Sequence, residues 1–240
     1  MNAPESKPPQ RILVWDAPVR VFHWLLVLSF FGAYLTAESD RWRAVHVTLG
    51  YTAGALVVFR LLWGLLGTRH ARFGDFVRGP QAVRRCLASL LRGAPEHHVG
   101  HNPAGALAIV ALLGLTCLTV VLGWATFTEQ GGEWLEEGHE LAGNLMLLLV
   151  GVHVAAVVLA SWLHRENLVR AMLTGRKLGT PQEGIRRTWG GLAVVMLVAV
   201  LGFWWLQWQD PPQVLSGDRP GATAKRGHDR ERDHDEREEH

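Results

Sequence analysis

The chain has little cysteine and lacks the motifs of several common chemistries. Only Cys86 and Cys117 occur among 240 residues. One falls in a polar connection and the other in an apolar segment, at different expected depths, so a disulfide between them is not expected. There is no C-x-x-C-H run, which excludes haem attached through thioethers. No internal repeat and no phosphate-cradling glycine-rich loop is present, and no Ser/His/Asp arrangement can be supported. Alternating ten-residue apolar patterns are absent too, so nothing supports a transmembrane β-barrel.

Charge is also missing, but only locally. The mean hydropathy of +0.09 suits a soluble protein, yet the charged residues are segregated. Five stretches are nearly free of them: Val19–Thr36, Ala44–Leu66, Ala104–Phe127, Leu141–Leu163 and Gly190–Trp208. Each approaches the ~20 residues that cross a hydrocarbon layer of ~30 Å. Segments of this kind are read as spanning helices, since a helix satisfies its own backbone in lipid. The first is longer than the apolar core of a cleaved signal peptide and carries a histidine, so it is expected to be retained.

Lys and Arg set the expected orientation. The 69–102 connection holds Arg69, Arg72, Arg78, Arg84, Arg85 and Arg92. The 164–187 connection holds Arg165, Arg170, Arg176, Lys177, Arg186 and Arg187. The N-terminal lead adds Lys7, Arg11 and Arg20. The 126–140 connection has no Lys or Arg and five Glu, and the 37–43 turn has only Arg41 and Arg43. The N-terminus and both basic connections are therefore placed in the cytoplasm. With five spans, the C-terminus is placed outside. Beyond Asp210 the chain is proline-opened, charged and almost without apolar residues, so a disordered tail is expected. Its His228, His234 and His240 are read as part of a solvated charged run rather than as metal ligands.

Four histidines lie in or at the ends of the apolar segments: His23, His46, His139 and His153. An ionisable side chain in a membrane helix is costly and marks a functional site by default. His139 and His153 are 14 residues apart in one predicted helix, which puts them on nearly one face about 21 Å apart. By depth, His46 pairs with His139 on the outer side, with His139 opening the fourth span. His23 pairs with His153 on the inner side. Each pair joins two helices at one level, and imidazole is a good axial ligand to haem iron. Gly50 and Gly143 follow His46 and His139 by four residues, on the same helix face, where a flat macrocycle needs close approach. Arg60 lies 14 residues after His46, at the inner level. It either pairs with haem propionates or snorkels to the headgroups. His97, His98 and His101 sit in a polar connection that lacks a convincing zinc ligand set. They are read as loop residues, with Asn102-Pro103 capping and opening the third span. Glu140 is a weak proton-handling candidate, and a helix-start carboxylate is the preferred reading.

Several runs resemble one family. Trp15-Asp16-Ala17-Pro18-Val19-Arg20-Val21-Phe22-His23-Trp24 resembles the opening of bacterial membrane cytochromes b, the cytochrome b561 and nickel-iron hydrogenase b-type cytochrome subunit family. His46-Val47-Thr48-Leu49-Gly50-Tyr51 and Phe59-Arg60-Leu61-Leu62-Trp63-Gly64 resemble its second helix. Gly100-His101-Asn102-Pro103-Ala104-Gly105, His139-Glu140 and Gly151-Val152-His153 are similar to its third- and fourth-helix motifs. The run from His164 to Lys177 is similar to its cytoplasmic exit. The resemblance covers about residues 11–178. It implies a four-helix bundle with two non-covalent b haems, ligated by His23, His46, His139 and His153 in the same pairs. It also implies electron transfer between membrane quinone and a redox partner.

The expected fold is therefore an all-α integral membrane protein. Residues 1–178 form a di-haem transmembrane domain, 189–209 an additional transmembrane helix and 210–240 the charged tail. The expected setting is the bacterial inner membrane. The expected partners are membrane lipid, quinone or quinol, and a redox protein such as a c-type cytochrome or a hydrogenase-like subunit; nucleic acid is not among them. The competing reading, a histidine-lined membrane metal transporter, would need deep carboxylates that the five segments almost entirely lack.

Overall fold

A computed structural model describes residues 10–77, 79–91 and 100–212. The elements in chain order are β1 (Gln10–Leu13), α1 (Ala17–Thr36), α2 (Arg43–Leu66), α3 (Phe73–Phe76), α4 (Pro80–Leu91), α5 (Pro103–Phe127), α6 (Glu133–Leu163), α7 (Leu168–Thr174), β2 (Arg176–Gly179) and α8 (Gly190–Gln209). Short 3-10 turns lie at Asp40–Trp42 and Pro181–Glu183. The Cys86 side chain, Arg78, Arg92, His97, His98, the first nine residues and the tail from 213 onward lie outside the described residues.

Among the described residues, α1, α2, α5, α6 and α8 are long and apolar enough to cross a membrane. They match the five apolar stretches of the sequence, with one shift. The fourth span begins at Glu133 instead of Leu141, because Glu133 and Glu136 suit the positive end of a helix dipole. His139 therefore lies almost two turns inside α6 rather than opening it. Glu140 is likewise past the first turn, so the dipole-stabilising role expected of it falls to Glu133 and Glu136.

α1 packs on α2, α2 on α5, and α5 on α6. α8 lies against α1 and α2. Its Met196 joins Phe22 and Leu25 of α1, Leu56 and Val57 of α2, and Leu113 of α5 in one buried cluster. The Trp204 indole of α8 donates to Thr52 Oγ1 at 2.9 Å, and Thr52 donates to the Thr48 carbonyl at 2.8 Å. This chain of donors leaves neither polar group bare in a lipid setting. Thr116, Thr119 and Thr126 of α5 donate to carbonyls four residues back in the same way. Exposed tryptophans ring both ends: Trp42, Trp124, Trp134, Trp205 and Trp208 at one, Trp162 and Trp189 at the other. Indole rings favour the two membrane interfaces.

The sequence gives no sign of the two-stranded ribbon at one end. β1 pairs antiparallel with β2, Gln10 opposite Gly179 and Leu13 opposite Arg176. Four-residue strands more than 160 positions apart are too short to show a periodicity. Asn167 caps α7 through its side chain, and Gly175 ends it with φ +77°. A Cβ there would also lie 2.5 Å from the Trp15 carbonyl. Only glycine meets both demands. The Gly175 carbonyl accepts from Val14 and Trp15, the Thr188 carbonyl from Ala17, and the Leu13 carbonyl from Ile185. Arg20 of α1 donates to the Leu173 carbonyl at 2.6 Å. Arg11, Arg20 and the basic 164–187 segment therefore share one end of the bundle.

Asp16 fixes that end to the helices. It is 1% exposed. Oδ1 accepts from Val19 N at 2.8 Å, capping α1, and Oδ2 accepts from Trp63 Nε1 at 3.0 Å and Thr68 Oγ1 at 2.7 Å. Asp16→Ala strands three donors, two of them side chains of α2 and the turn after it. With about 1.5–3 kcal/mol for each hydrogen bond to a charged acceptor, and incomplete additivity, the expected loss is about 3–5 kcal/mol. Asp16→Asn keeps an acceptor for Val19 and should lose about half as much. Thermal melting of the detergent-solubilised chain measures both; a wild-type midpoint for the alanine variant would refute this role.

Candidate functional site

The His46 and His139 rings face each other across α2 and α6, with centroids 5.8 Å apart and planes at 85°. Backbone carbonyls of two further helices orient them. His46 Nδ1 lies 2.8 Å from the Ala33 carbonyl of α1, and His139 Nδ1 lies 2.9 Å from the Thr119 carbonyl of α5. A carbonyl only accepts, so each Nδ1 carries a proton and Nε2 is the ring nitrogen turned away from that bond, the one placed to ligate iron. All four central helices therefore converge here: two supply rings and two fix their tautomers. Tyr34 OH of α1 donates to Asn144 Oδ1 of α6 at 3.0 Å, one turn below His139.

α5 approaches His139 at Gly123. A Cβ at Gly123 would stand 2.6 Å from His139 Cε1 and 2.9 Å from Nδ1. The missing side chain is what lets the Thr119 carbonyl reach the ring. By contrast, a Cβ at Gly50 or Gly143 would meet nothing within 4 Å, so both expected positions border open space.

The other pair is arranged differently. His23 of α1 packs edge-on against Trp24, with ring centroids 5.0 Å apart. Its Nδ1 is buried with no hydrogen-bond partner among the described residues. His153 of α6 is half-buried and lies within electrostatic range of His23. The two rings make no direct ring contact among the described residues. Arg60 of α2 is 3% exposed. It therefore does not snorkel to the surface, and that alternative is removed. Its Cζ lies 4.8 Å from the centre of the Phe73 ring, and its Nη1 has no hydrogen-bond partner among the described residues.

His101 is not the ordinary loop residue the sequence suggested. Asn102 does cap α5, accepting from Gly105 N at 2.6 Å, with Pro103 in the first turn. But this cap turns His101 inward, between Trp15 at 4.4 Å and Phe76 at 4.6 Å. Burial, reinforced by the Arg60 guanidinium and then by His70, Lys177 and His153, pushes its pKa down to about 3. The Asn-Pro pair signalled the cap; nothing local signalled the aromatic slot, whose walls come from distant segments. No cluster of three His, Cys, Asp or Glu side chains able to hold a metal ion is present among the described residues.

Residues 14–175 match the family described as prokaryotic cytochrome b561. The chain belongs to that family. It is similar to a probable Ni/Fe-hydrogenase B-type cytochrome subunit of Rhizobium leguminosarum bv. viciae, at 23% identity over 72% of this chain and 92% of the relative. The protein of the same description from Rhodobacter capsulatus is 24% identical over 69% of this chain and 81% of its own length. A probable Ni/Fe-hydrogenase 1 B-type cytochrome subunit of Escherichia coli K12 is 25% identical over 48% of this chain and 60% of the relative. No solved structure matches the chain. A b-type cytochrome implies haem b, and this family member is a multi-pass membrane protein.

The donor set fits such a group. An axial imidazole needs an available Nε2 and gains from a carbonyl on Nδ1–H, and His46 and His139 provide both. Gly123→Ala should push the His139 ring from its place while costing global stability no more than about 1 kcal/mol. The expected outcome is reduced haem b absorbance at a nearly unchanged melting temperature.

Proposed function

We propose that this chain is a membrane cytochrome with two haem b groups, carrying electrons between the quinone pool and a redox protein partner. The observation that carries the reading is the His46–His139 pair: two imidazoles from different helices, each held through Nδ1 by a backbone carbonyl and set edge to face 5.8 Å apart. Haem b, when bound, supplies a reversible one-electron carrier. His46 and His139 would hold the outer group. His23 and His153 would serve the inner one, which the electrostatic influence of His153 on His23 supports. Arg60, a buried cation, would balance propionate charge at the inner level.

The bundle's own task is to hold the two levels at fixed separation and in low dielectric. α6 does this directly, since His139 and His153 ride on one unbroken helix. The relatives named as Ni/Fe-hydrogenase subunits favour a hydrogenase-like partner over a c-type cytochrome. The setting would be the bacterial inner membrane, with the ribbon and the basic segments in the cytoplasm and the end of α8 outside. Basic residues gathered at one end of the bundle support this orientation.

Pyridine haemochrome analysis of the purified chain should give two haems per polypeptide; one or none would contradict the reading. His46→Ala and His139→Ala should remove one spectral component, and His23→Ala and His153→Ala the other. Loss of the same component from His46→Ala and His153→Ala would break the pairing. The inner component should titrate at the higher potential, because nearby positive charge favours the reduced state. A periplasm-active reporter fused after Asp210 should be active; one active only in the cytoplasm would refute the orientation.

A further inference from the structure

The ribbon end carries more positive charge than its own carboxylates balance. Asp16 already holds Val19 N, Trp63 Nε1 and Thr68 Oγ1. Glu166 pairs with Lys177 at 3.4 Å. Glu183 Oε2 accepts from Thr180 N at 2.9 Å and from Thr180 Oγ1 at 2.7 Å. Arg11, Arg165, Arg170, Arg176, Arg186 and Arg187 are all exposed at this end. No carboxylate among the described residues pairs with any of them.

Two of these arginines are set apart by their surroundings. Arg186, Arg187, Thr188 and Trp189 line an open groove of about 360 Å³. The segment is pinned at both sides of the arginines. Ile185 N donates to the Leu13 carbonyl at 2.8 Å, and the Thr188 carbonyl accepts from Ala17 N at 2.8 Å. The backbone under both guanidinium groups is thus tied to β1 and to the start of α1. Trp189 meets Trp63 edge-on at 5.4 Å, yet it is still 44% exposed. The span α8 starts immediately after it, and Val194, Val195 and Val198 of that span are exposed too. Two unpaired cations, an interfacial indole and an apolar helix face therefore follow one another from the end of the bundle into the membrane.

We propose that Arg186, Arg187 and Trp189 form a binding site for one anionic phospholipid. That order of groups matches the order within the lipid. Guanidinium groups bind phosphate oxygens through paired N–H donors. An indole sits at the headgroup level, with its ring on hydrocarbon and its N–H in the polar layer. The valine face of α8 takes the acyl chains. The groove holds two cations and no carboxylate, so it favours a headgroup without an amine over a zwitterionic one. A free phosphate would satisfy the arginines but leave Trp189 and the valines unused. The pinned backbone gives the site a structural consequence. A lipid seated on residues 186–189 braces β1, the start of α1 and, through Trp63, the Asp16 cluster.

The test titrates the full chain, delipidated in detergent, with phosphatidylglycerol, phosphatidylcholine or glycerol 3-phosphate, and follows adducts by native mass spectrometry. The wild type should retain one phosphatidylglycerol in preference to phosphatidylcholine, and glycerol 3-phosphate should not displace it. Arg186→Gln with Arg187→Gln should weaken that binding about thirtyfold. Arg170→Gln with Arg176→Gln removes the same charge from the same end outside the groove, and should weaken it less than about threefold. Phosphatidylglycerol should also raise the melting midpoint of the wild type and of the Arg170/Arg176 variant, but not that of the Arg186/Arg187 variant. Equal losses from the two double variants would mean diffuse attraction to a basic surface and overturn the site. Equal retention of phosphatidylcholine, or displacement by glycerol 3-phosphate, would overturn the choice of an anionic lipid. Should the Arg186/Arg187 variant fail to fold, each single variant should show about a fivefold loss, and wild-type affinity in both would refute the proposal.

Discussion

One carboxylate, that of Asp16, organises the end of the bundle from which the inner level is built. It starts α1 by capping it, and it binds the last turn of α2 through Trp63 and the turn beyond through Thr68. A buried carboxylate holding three donors gains strength from low dielectric, and for the same reason tolerates no loss of partners. Its consequences spread outward. Trp63 is held in place to stack on Phe59 and to meet Trp189 edge-on. Trp189 is where the chain turns into α8, in left-handed backbone conformation. The fifth span is thereby registered against the first two before its own Met196 and Trp204 make contact.

The bundle's polar groups follow a common economy. Lipid offers no hydrogen bonds, so hydroxyls turn back on their own helices and indoles seek hydroxyls. Histidine cannot close such a loop within a helix. His46 and His139 instead borrow carbonyls from neighbouring helices, α1 and α5. The need to satisfy Nδ1 thus doubles as the device that selects the tautomer and aims Nε2. Gly123 is the steric condition for that arrangement on the α5 side.

Spans and histidine spacing were legible because they are local or periodic: long charge-free runs, and a 14-residue interval on one helix. The start of α6 was misplaced because its first turns are amphipathic and acidic, and hydropathy alone stops at the apolar edge. The ribbon of β1 and β2 was invisible, since neither four-residue strand carries a pattern without the other. Asp16 was visible only within a family-like run; its reach to Trp63 and Thr68 depends on folded proximity. His101 was misjudged for a related reason. Its neighbours in sequence are polar, while its neighbours in space are Trp15 and Phe76.

The two histidine levels differ in what completes them. At the His46–His139 level the protein supplies every second partner itself, so ring orientation is set by the backbone. At the inner level His23 Nδ1, Arg60 Nη1 and His101 Nδ1 have no hydrogen-bond partner among the described residues. Unmade hydrogen bonds in a buried place raise the free energy of the chain that contains them, and whatever supplies the acceptors gains that difference as binding energy. The outer level is therefore preorganised by the backbone. On the two-haem proposal the inner level would instead gain stability from its occupant, and because α1 and α2 meet there, filling it would also complete the packing of the end that Asp16 begins. Cofactor binding and assembly of the ribbon end would then be one equilibrium, with the outer pair largely apart from it.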